Sequence, residues 1–209
     1  MALKLWHCAG SRSIRPLWTL EEMGIEYDIE VMKFPPRFTH PGYTDINPIG
    51  TVPFFTDGDT QMTESAGISQ YLVEKYGPTE LAVKLDEPDY GLYLNWLHRS
   101  DATLTFPQTL VLRYTILEPE EKRLPSVAAD YAKWFHARLR SVEEATAERE
   151  FLCANRFTIA DIAVGYALYL ADTLQLSTGF KPNTRAYYER LKARPGFQRA
   201  TRFDSASRV

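Results

Sequence analysis

Over the first 76 residues, short apolar runs alternate with stripes at helical spacing; beyond them only the helical spacing persists. Leu3–His7 is an apolar run of strand length. Ser13 stands where it would cap a helix over Ile14–Met23. Pro16 falls in that helix's first turn, where its missing N–H costs nothing, and Gly24 stops it. Glu26–Met32 alternates at roughly every second residue, so a β-α-β opening with a parallel pair and a right-handed crossover is expected. Residues 33–51, rich in Pro, Gly, Asn and Thr, read as a long loop with one short helix; loops that long inside a compact domain are usually functional. Val52–Phe55 and Thr60–Met62 flank Thr56-Asp57-Gly58-Asp59, a hairpin signal. Glu64–Tyr76 carries Ile68, Leu72 and Tyr76 on one stripe and is stopped by Gly77-Pro78.

The second half is helical throughout. Tyr90, Tyr93, Leu94 and Leu97 share one face of a helix expected to kink at Pro107 and run to about Leu117. Tyr131, Phe135, Leu139 and Val142 mark another. Thr158-Ile159-Ala160-Asp161 is a helix start: Thr158 caps the N3 amide, Asp161 reaches back to the cap amide, and Phe157 staples onto Ile162. The helix behind it carries Ile162, Ala163, Tyr166 and Leu170, and Asn183–Ala193 is read as the last helix before Pro195-Gly196. The expected division is an α/β domain over 1–77, a linker over 78–88 and an all-helical domain over 89–209.

Composition narrows the function. With 44% apolar and 24% charged residues, the 209-residue chain is ordinary for a folded protein. Its 24 Lys and Arg against 27 Asp and Glu give a formal charge of −3, which excludes a phosphate-tracking nucleic-acid binder as the default. The apolar stretch Ile162–Ala171 is shorter than the ~18 residues a bilayer span needs, so no membrane partner is expected. Met1–His7 lacks the basic flank and long apolar core of a secretory signal. Cys8 and Cys153 cannot build a disulfide framework, or a four-ligand zinc site without help from the 4 His. A reducing cytoplasm is the simplest location, and no metal is implied.

Four short motifs stand in order: Ser11-Arg12-Ser13-Ile14-Arg15 after the first strand, Thr51-Val52-Pro53, Glu64-Ser65, and Phe157-Thr158-Ile159-Ala160-Asp161. Each is weak alone. In this order and at these distances, over about residues 3–200, the chain resembles the glutathione transferase family. Ser11–Gly24 is most similar to bacterial and fungal members that use a serine in the first loop. The resemblance implies a thioredoxin-like βαβ-ββα domain followed by an all-α bundle. It also implies a cytosolic homodimer with glutathione as co-substrate, conjugating the glutathione thiolate to a small electrophile in detoxification.

The motifs carry chemistry of their own. Val52-Pro53 places at a strand head a proline that cannot donate to a ladder, and from the residues alone its peptide bond is cis or trans. The resemblance implies cis, with the Val52 main chain turned outward to hold the cysteinyl backbone of glutathione. Glu64-Ser65 opens a helix whose N-terminal field favours a carboxylate by roughly 0.3–1 kcal/mol when exposed. By itself Glu64 reads as a dipole-compensating residue; the resemblance implies that the pair grips the γ-glutamyl end, with Ser65 donating to the carboxylate. Ser11 lies between strand end and helix start. A free thiol titrates at ~8.5, so a hydroxyl donating to the sulfur would favour the reactive thiolate. Ser11 is thus the expected catalytic donor rather than a nucleophile, Ser13 the expected N-cap, and Arg12 either adds positive potential or faces solvent.

Alternatives stay open at this point. Cys8-Ala9-Gly10-Ser11 is a C-x-x-S pattern, so Cys8 would support glutathione-dependent thiol transfer, reduction or deglutathionylation. A non-catalytic binding or regulatory module is the other alternative. The isomerase type whose members carry Ser-Ser-Cys is disfavoured, since Gly10-Ser11-Arg12 stands here. His7 reads as a strand-end residue and Cys153 as core. The electrophile is expected in a cleft between the domains, walled by Phe106, Leu110, Arg113 and Tyr114, with Trp6 and Phe203 as weaker candidates. Asp101 is a candidate charge contact across a dimer, and Arg37 or His40 for the glycyl carboxylate.

Overall fold

The structure, a computed structural model, describes residues 3–206; residues 1–2 and 207–209, the outer ends of the two expected domains, lie outside it. The chain forms two compact units, residues 3–82 with 192–206, and Val83–Leu191.

The first unit is built on a four-stranded sheet in the order β2-β1-β3-β4. β1 (Leu3–Cys8) pairs in parallel with β2 (Asp28–Met32), as the β-α-β reading requires, through α1 (Ile14–Met23). Gly24 ends that helix at φ 65°, a left-handed position that suits glycine. Two single-turn helices, α2 (Pro36–Thr39) and α3 (Tyr43–Ile46), occupy the long loop, where one was expected. β3 (Phe54–Asp57) runs antiparallel to β1 and to β4 (Thr60–Met62), with Asp57 opposite Thr60. The hairpin turn is therefore only Gly58-Asp59, with Gly58 at φ 58°. α4 (Ser65–Lys75) follows. Ile68 and Leu72 are buried as expected, but Tyr76 is exposed and donates from its hydroxyl to Asp57 Oδ2 at 2.6 Å instead of joining the core.

The unit closes on a helix that the sequence reading missed. Pro195-Gly196 was expected to end the last helix, yet α10 (Pro195–Ala206) begins there. Proline is well placed at a helix's first position, so the same dipeptide starts one helix as it stops another. α10 packs on α1: the Trp18 and Phe197 rings meet edge-on at 4.9 Å, and Arg194 makes two 2.8 Å bonds to Glu22. The C-terminal residues expected in the helical domain thus group with the first unit.

The second unit is all-helical. α5 (Tyr90–Arg99) passes through a π-helical segment, Ser100–Thr105, into α6 (Phe106–Leu112) and a second π segment, Arg113–Leu117. Pro107 sits in the first turn of α6 and cannot donate its backbone N–H; the chain meets this with a π register rather than a break. α7 (Pro125–Ala145) buries Phe135, Leu139 and Val142. α8 (Ile159–Thr173) is buried on every side from Ile159 to Ala171. The expected capping box opens it: the Thr158 N–H donates to Asp161 Oδ2 at 2.9 Å, while the Thr158 hydroxyl accepts from the Ala160 amide at 3.2 Å. α9 (Pro182–Lys192) completes the unit. Among the described residues no helix is long and apolar enough to cross a membrane.

Candidate functional site

The first strand delivers the chain to a tight turn. After Cys8, Gly10 adopts φ 68°, and Ser11 folds back so that its N–H and its hydroxyl both donate to the Cys8 carbonyl, at 3.2 and 2.7 Å. Ser11 Oγ lies 2.6 Å from Ser13 Oγ, which in turn lies 2.8 Å from His7 Nδ1. Ser13 is therefore not the side-chain cap that was expected. Its backbone is already helical (φ −64°, ψ −13°), whereas a capping serine needs an extended backbone to reach the following amides. His7 is fully buried, with the Phe203 ring 5.9 Å away.

Cys8 faces the other way. Its side chain is 0% exposed, in a cluster with Trp6, Met32, Tyr43, Val52 and Phe54. Burial pushes the thiol up to about 12, so at neutral pH it is an inert core thiol. This burial weighs against the Cys8 alternative, which needs an accessible thiol. Trp6, a weaker pocket candidate, is also core and rests on Phe54 at 5.0 Å. Cys153 is buried too, as expected, and burial raises it to about 11.

The Val52–Pro53 peptide bond is cis, and both residues are buried. The residue before it is held from two sides: the Thr51 carbonyl accepts from the Tyr43 hydroxyl at 2.7 Å and from Asn47 Nδ2 at 2.8 Å. The long loop thus acts as a scaffold for the proline turn. Arg37 is exposed against the Phe38 ring, and His40 meets Tyr43 edge-on at 6.2 Å.

The start of α4 is the third component. Glu64 occupies the N-cap with an extended backbone and an exposed side chain. Ser65 behind it is buried, and its hydroxyl oxygen accepts from Arg15 Nη1 at 3.0 Å. That leaves the Ser65 proton for another acceptor. Arg15 is itself fully buried on α1, and Thr19 one turn later donates to Ser69 on α4 at 2.9 Å. α1 therefore connects the Ser11 turn to the amino end of α4 through side chains.

The other candidates belong to the second unit. Phe106 is 47% exposed and meets Tyr131 and Trp134 edge-on at 6.4 and 6.5 Å. Leu110 and Tyr114 are half-buried, and Arg113 donates to Glu118 Oε1 at 2.8 Å. The spacing of 106, 110, 113 and 114 puts all four on one side of the helical stretch. Asp101 is half-buried on the first π segment. Among the described residues no group of three or more His, Cys, Asp and Glu could hold a metal ion.

Sequence reasoning missed Arg15, Tyr43, Asn47 and the His7–Ser13 contact. A signal for Arg15 existed: a charged residue inside Ile14–Leu20, a stretch otherwise free of charge. The others carry no such mark: their partners lie only four to eight residues away, but no residue type or spacing names them.

Two family models match the chain: the glutathione S-transferase N-terminal domain over residues 1–74 and the C-terminal domain over 111–195. Among curated relatives, glutathione S-transferase 3 of Schizosaccharomyces pombe is 26% identical, over 91% of this chain and 83% of that protein. Glutathione S-transferase GstA of Escherichia coli O157:H7 is 27% identical over 95% and 96%. Among solved structures, a glutathione transferase from Methylococcus capsulatus superposes with a TM-score of 0.86 at 24% identity, covering 98% of this chain and 100% of that one. A sphingomonad glutathione S-transferase complexed with glutathione gives 0.84 at 21%, covering 97% and 98%. At such identity the structural likeness establishes the fold.

Proposed function

The chain belongs to the glutathione S-transferase family, and from that premise we propose that its first unit binds reduced glutathione and activates its thiol through Ser11. In this reading the glutathione sulfur lies at the Ser11 turn, the cysteinyl main chain pairs with Val52 beside cis-Pro53, and the γ-glutamyl carboxylate meets Ser65 at the amino end of α4, with Glu64 near the amine. The observation that carries it is the Arg15–Ser65 hydrogen bond. The helix that starts at the Ser11 turn also fixes the acceptor side of Ser65, so one element positions both ends of a tripeptide site. The Ser65 proton can then donate to a carboxylate, with the α4 dipole and the buried guanidinium supplying favourable potential.

The proposed reaction is attack of the thiolate, its proton lost to water, on a small electrophile: the C–S bond of a thioether forms as a leaving group such as halide departs with its electron pair, or as an activated double bond opens and takes up a proton. Ser11 turns its hydroxyl from the Cys8 carbonyl to donate a hydrogen bond to the thiolate, keeping its proton; the Cys8 carbonyl it leaves keeps the Ser11 N–H. Phe106, Leu110, Arg113 and Tyr114 are proposed to contact the electrophile, and the apolar, partly exposed Phe106 ring favours an aromatic one. A homodimer in a reducing cytoplasm is part of the same proposal; Cys8 and Cys153 as unpaired thiols suit that compartment.

Calorimetry with reduced glutathione and a conjugation assay with an aryl halide test the reading. Binding and turnover are expected in the wild type. Ser11→Ala should lower kcat/KM at neutral pH by about tenfold or more while glutathione still binds, since losing a thiolate donor raises the thiol pKa by about a unit. Absence of glutathione binding, or turnover unaffected by Ser11→Ala, would sink it.

A further inference from the structure

We propose that Ser13 and His7 are positioning residues for Ser11: a one-way hydrogen-bond relay, His7 Nδ1–H to Ser13 hydroxyl to Ser11 hydroxyl, that aims the Ser11 O–H as a hydrogen-bond donor at the glutathione thiolate. The proposal rests on the assignment of Ser11 as thiol donor and extends it to two buried residues behind it.

Proton counting fixes the direction of the relay. The Cys8 carbonyl can only accept, and at 2.7 Å it takes the single hydroxyl proton of Ser11. In the 2.6 Å contact between the serines the donor must then be Ser13. Ser13 has spent its only proton, so in the 2.8 Å contact with His7 the donor is Nδ1–H. Three donors thus point the same way and end at the position a sulfur would take from the Cys8 carbonyl.

This arrangement has two chemical consequences. A hydroxyl that accepts a hydrogen bond becomes a better donor, because each bond in a chain polarises the next. Ser11 is therefore pre-polarised toward an anion. The relay also occupies the Ser11 oxygen from behind, so the hydroxyl cannot turn its proton inward toward Ser13. Burial reinforces both effects: Ser13 and His7 are fully buried and screened from water, while Ser11 at the end of the chain is only half-buried. The sequence supplies the geometry. His7 is one residue before the strand's end and Ser13 one before the first helix, so the relay spans the strand-helix junction on which Ser11 sits.

The test is the titration of the enzyme-bound glutathione thiol, followed by thiolate absorbance and by the pH profile of kcat/KM, with KM for glutathione measured alongside. Ser13→Ala is expected to raise the apparent thiol pKa by about half to one unit, which is roughly a three- to tenfold loss of thiolate below that pKa, with KM for glutathione little changed. Ser13→Thr, which keeps the hydroxyl, should restore the wild-type titration. His7→Leu should behave as Ser13→Ala, and His7→Asn, which keeps a donor near Nδ1, should recover most of the shift. A merely structural role would lower the melting temperature without moving the thiol titration. An unshifted titration in folded Ser13→Ala and His7→Leu, with Ser11→Ala shifted, overturns the relay alone. An unshifted Ser11→Ala overturns the donor assignment and the relay with it.

Discussion

At the scale of the residue, Cys8 and Ser11 are the two groups that the sequence leaves in competition for the sulfur. Cys8 and Ser11 stand three residues apart, and spacing alone assigns neither. Side-chain direction separates them: Cys8 points into the sheet's apolar cluster while Ser11 sits in the turn, half-exposed. The thiol should therefore resist disulfide reagents in the native protein and react only on unfolding, and Cys8→Ala should retain conjugation. The lost sulfur should cost about 1 kcal/mol of stability through a small cavity, readable in urea titration. Rapid native-state labelling of Cys8, or loss of turnover in Cys8→Ala, would restore the thiol-transfer alternative. Ser11 was legible because its turn is local in sequence. The fate of Ser13 was not: its hydroxyl is claimed by His7 on the preceding strand, and a serine before a helix reads as a cap unless that partner is known.

At the level of elements, two carboxylates respond to acid in opposite directions. Asp57 on β3 accepts hydrogen bonds from Lys75 and Tyr76, and from Tyr71, on and just beyond α4, and these bonds lower it from 3.8 to about 2. A folded pKa below the unfolded one stabilises the fold above the unfolded value, and the gain disappears as pH falls through the folded one. Asp161, fully buried in the α8 capping box, is raised by burial from 3.8 to about 6 despite accepting from the Leu152 amide, the Thr158 amide and the Tyr187 hydroxyl. Its contribution has the reverse sign and weakens as pH rises through that window. Asp57→Asn should flatten the fall of the urea midpoint between about pH 4 and 2, whereas Asp161→Asn should flatten the opposing slope between about pH 4 and 6. Asp161→Ala is a different matter: it orphans buried donors at the cap and should cost about 2–4 kcal/mol. An unchanged acid limb in Asp57→Asn would show that its ligands from α4 are not held in solution. The capping box was legible because all its parts lie within four residues; the Asp57 network was not, because its donors lie 14 to 19 residues away.

For the whole molecule, the decisive feature is where the C-terminal helix goes. α10 returns to α1 through Trp18–Phe197, Arg194–Glu22 and Arg199–Glu21, the last at 2.6 Å. Removing residues 195–209 should uncover Trp18 and lower the melting temperature of the full chain, with glutathione affinity falling as α1 loosens. A truncated chain that melts as the wild type does would contradict this. By itself, the sequence determined the strands, the main helices up to α9, the parallel opening pair, the Ser11 turn and the α8 cap. Each of these is written in periodicity or in residues a few positions apart, where local sterics and short hydrogen bonds are sufficient. Only the tertiary structure decided that Cys8 is core, that Ser13 serves His7 and Ser11 instead of capping a helix, and that Arg15 reaches Ser65. It also decided that the last helix belongs with the first unit. The physical reason is the same in each case: an apolar stripe or a polar atom states that it needs a partner, and only the folded chain states which one it meets.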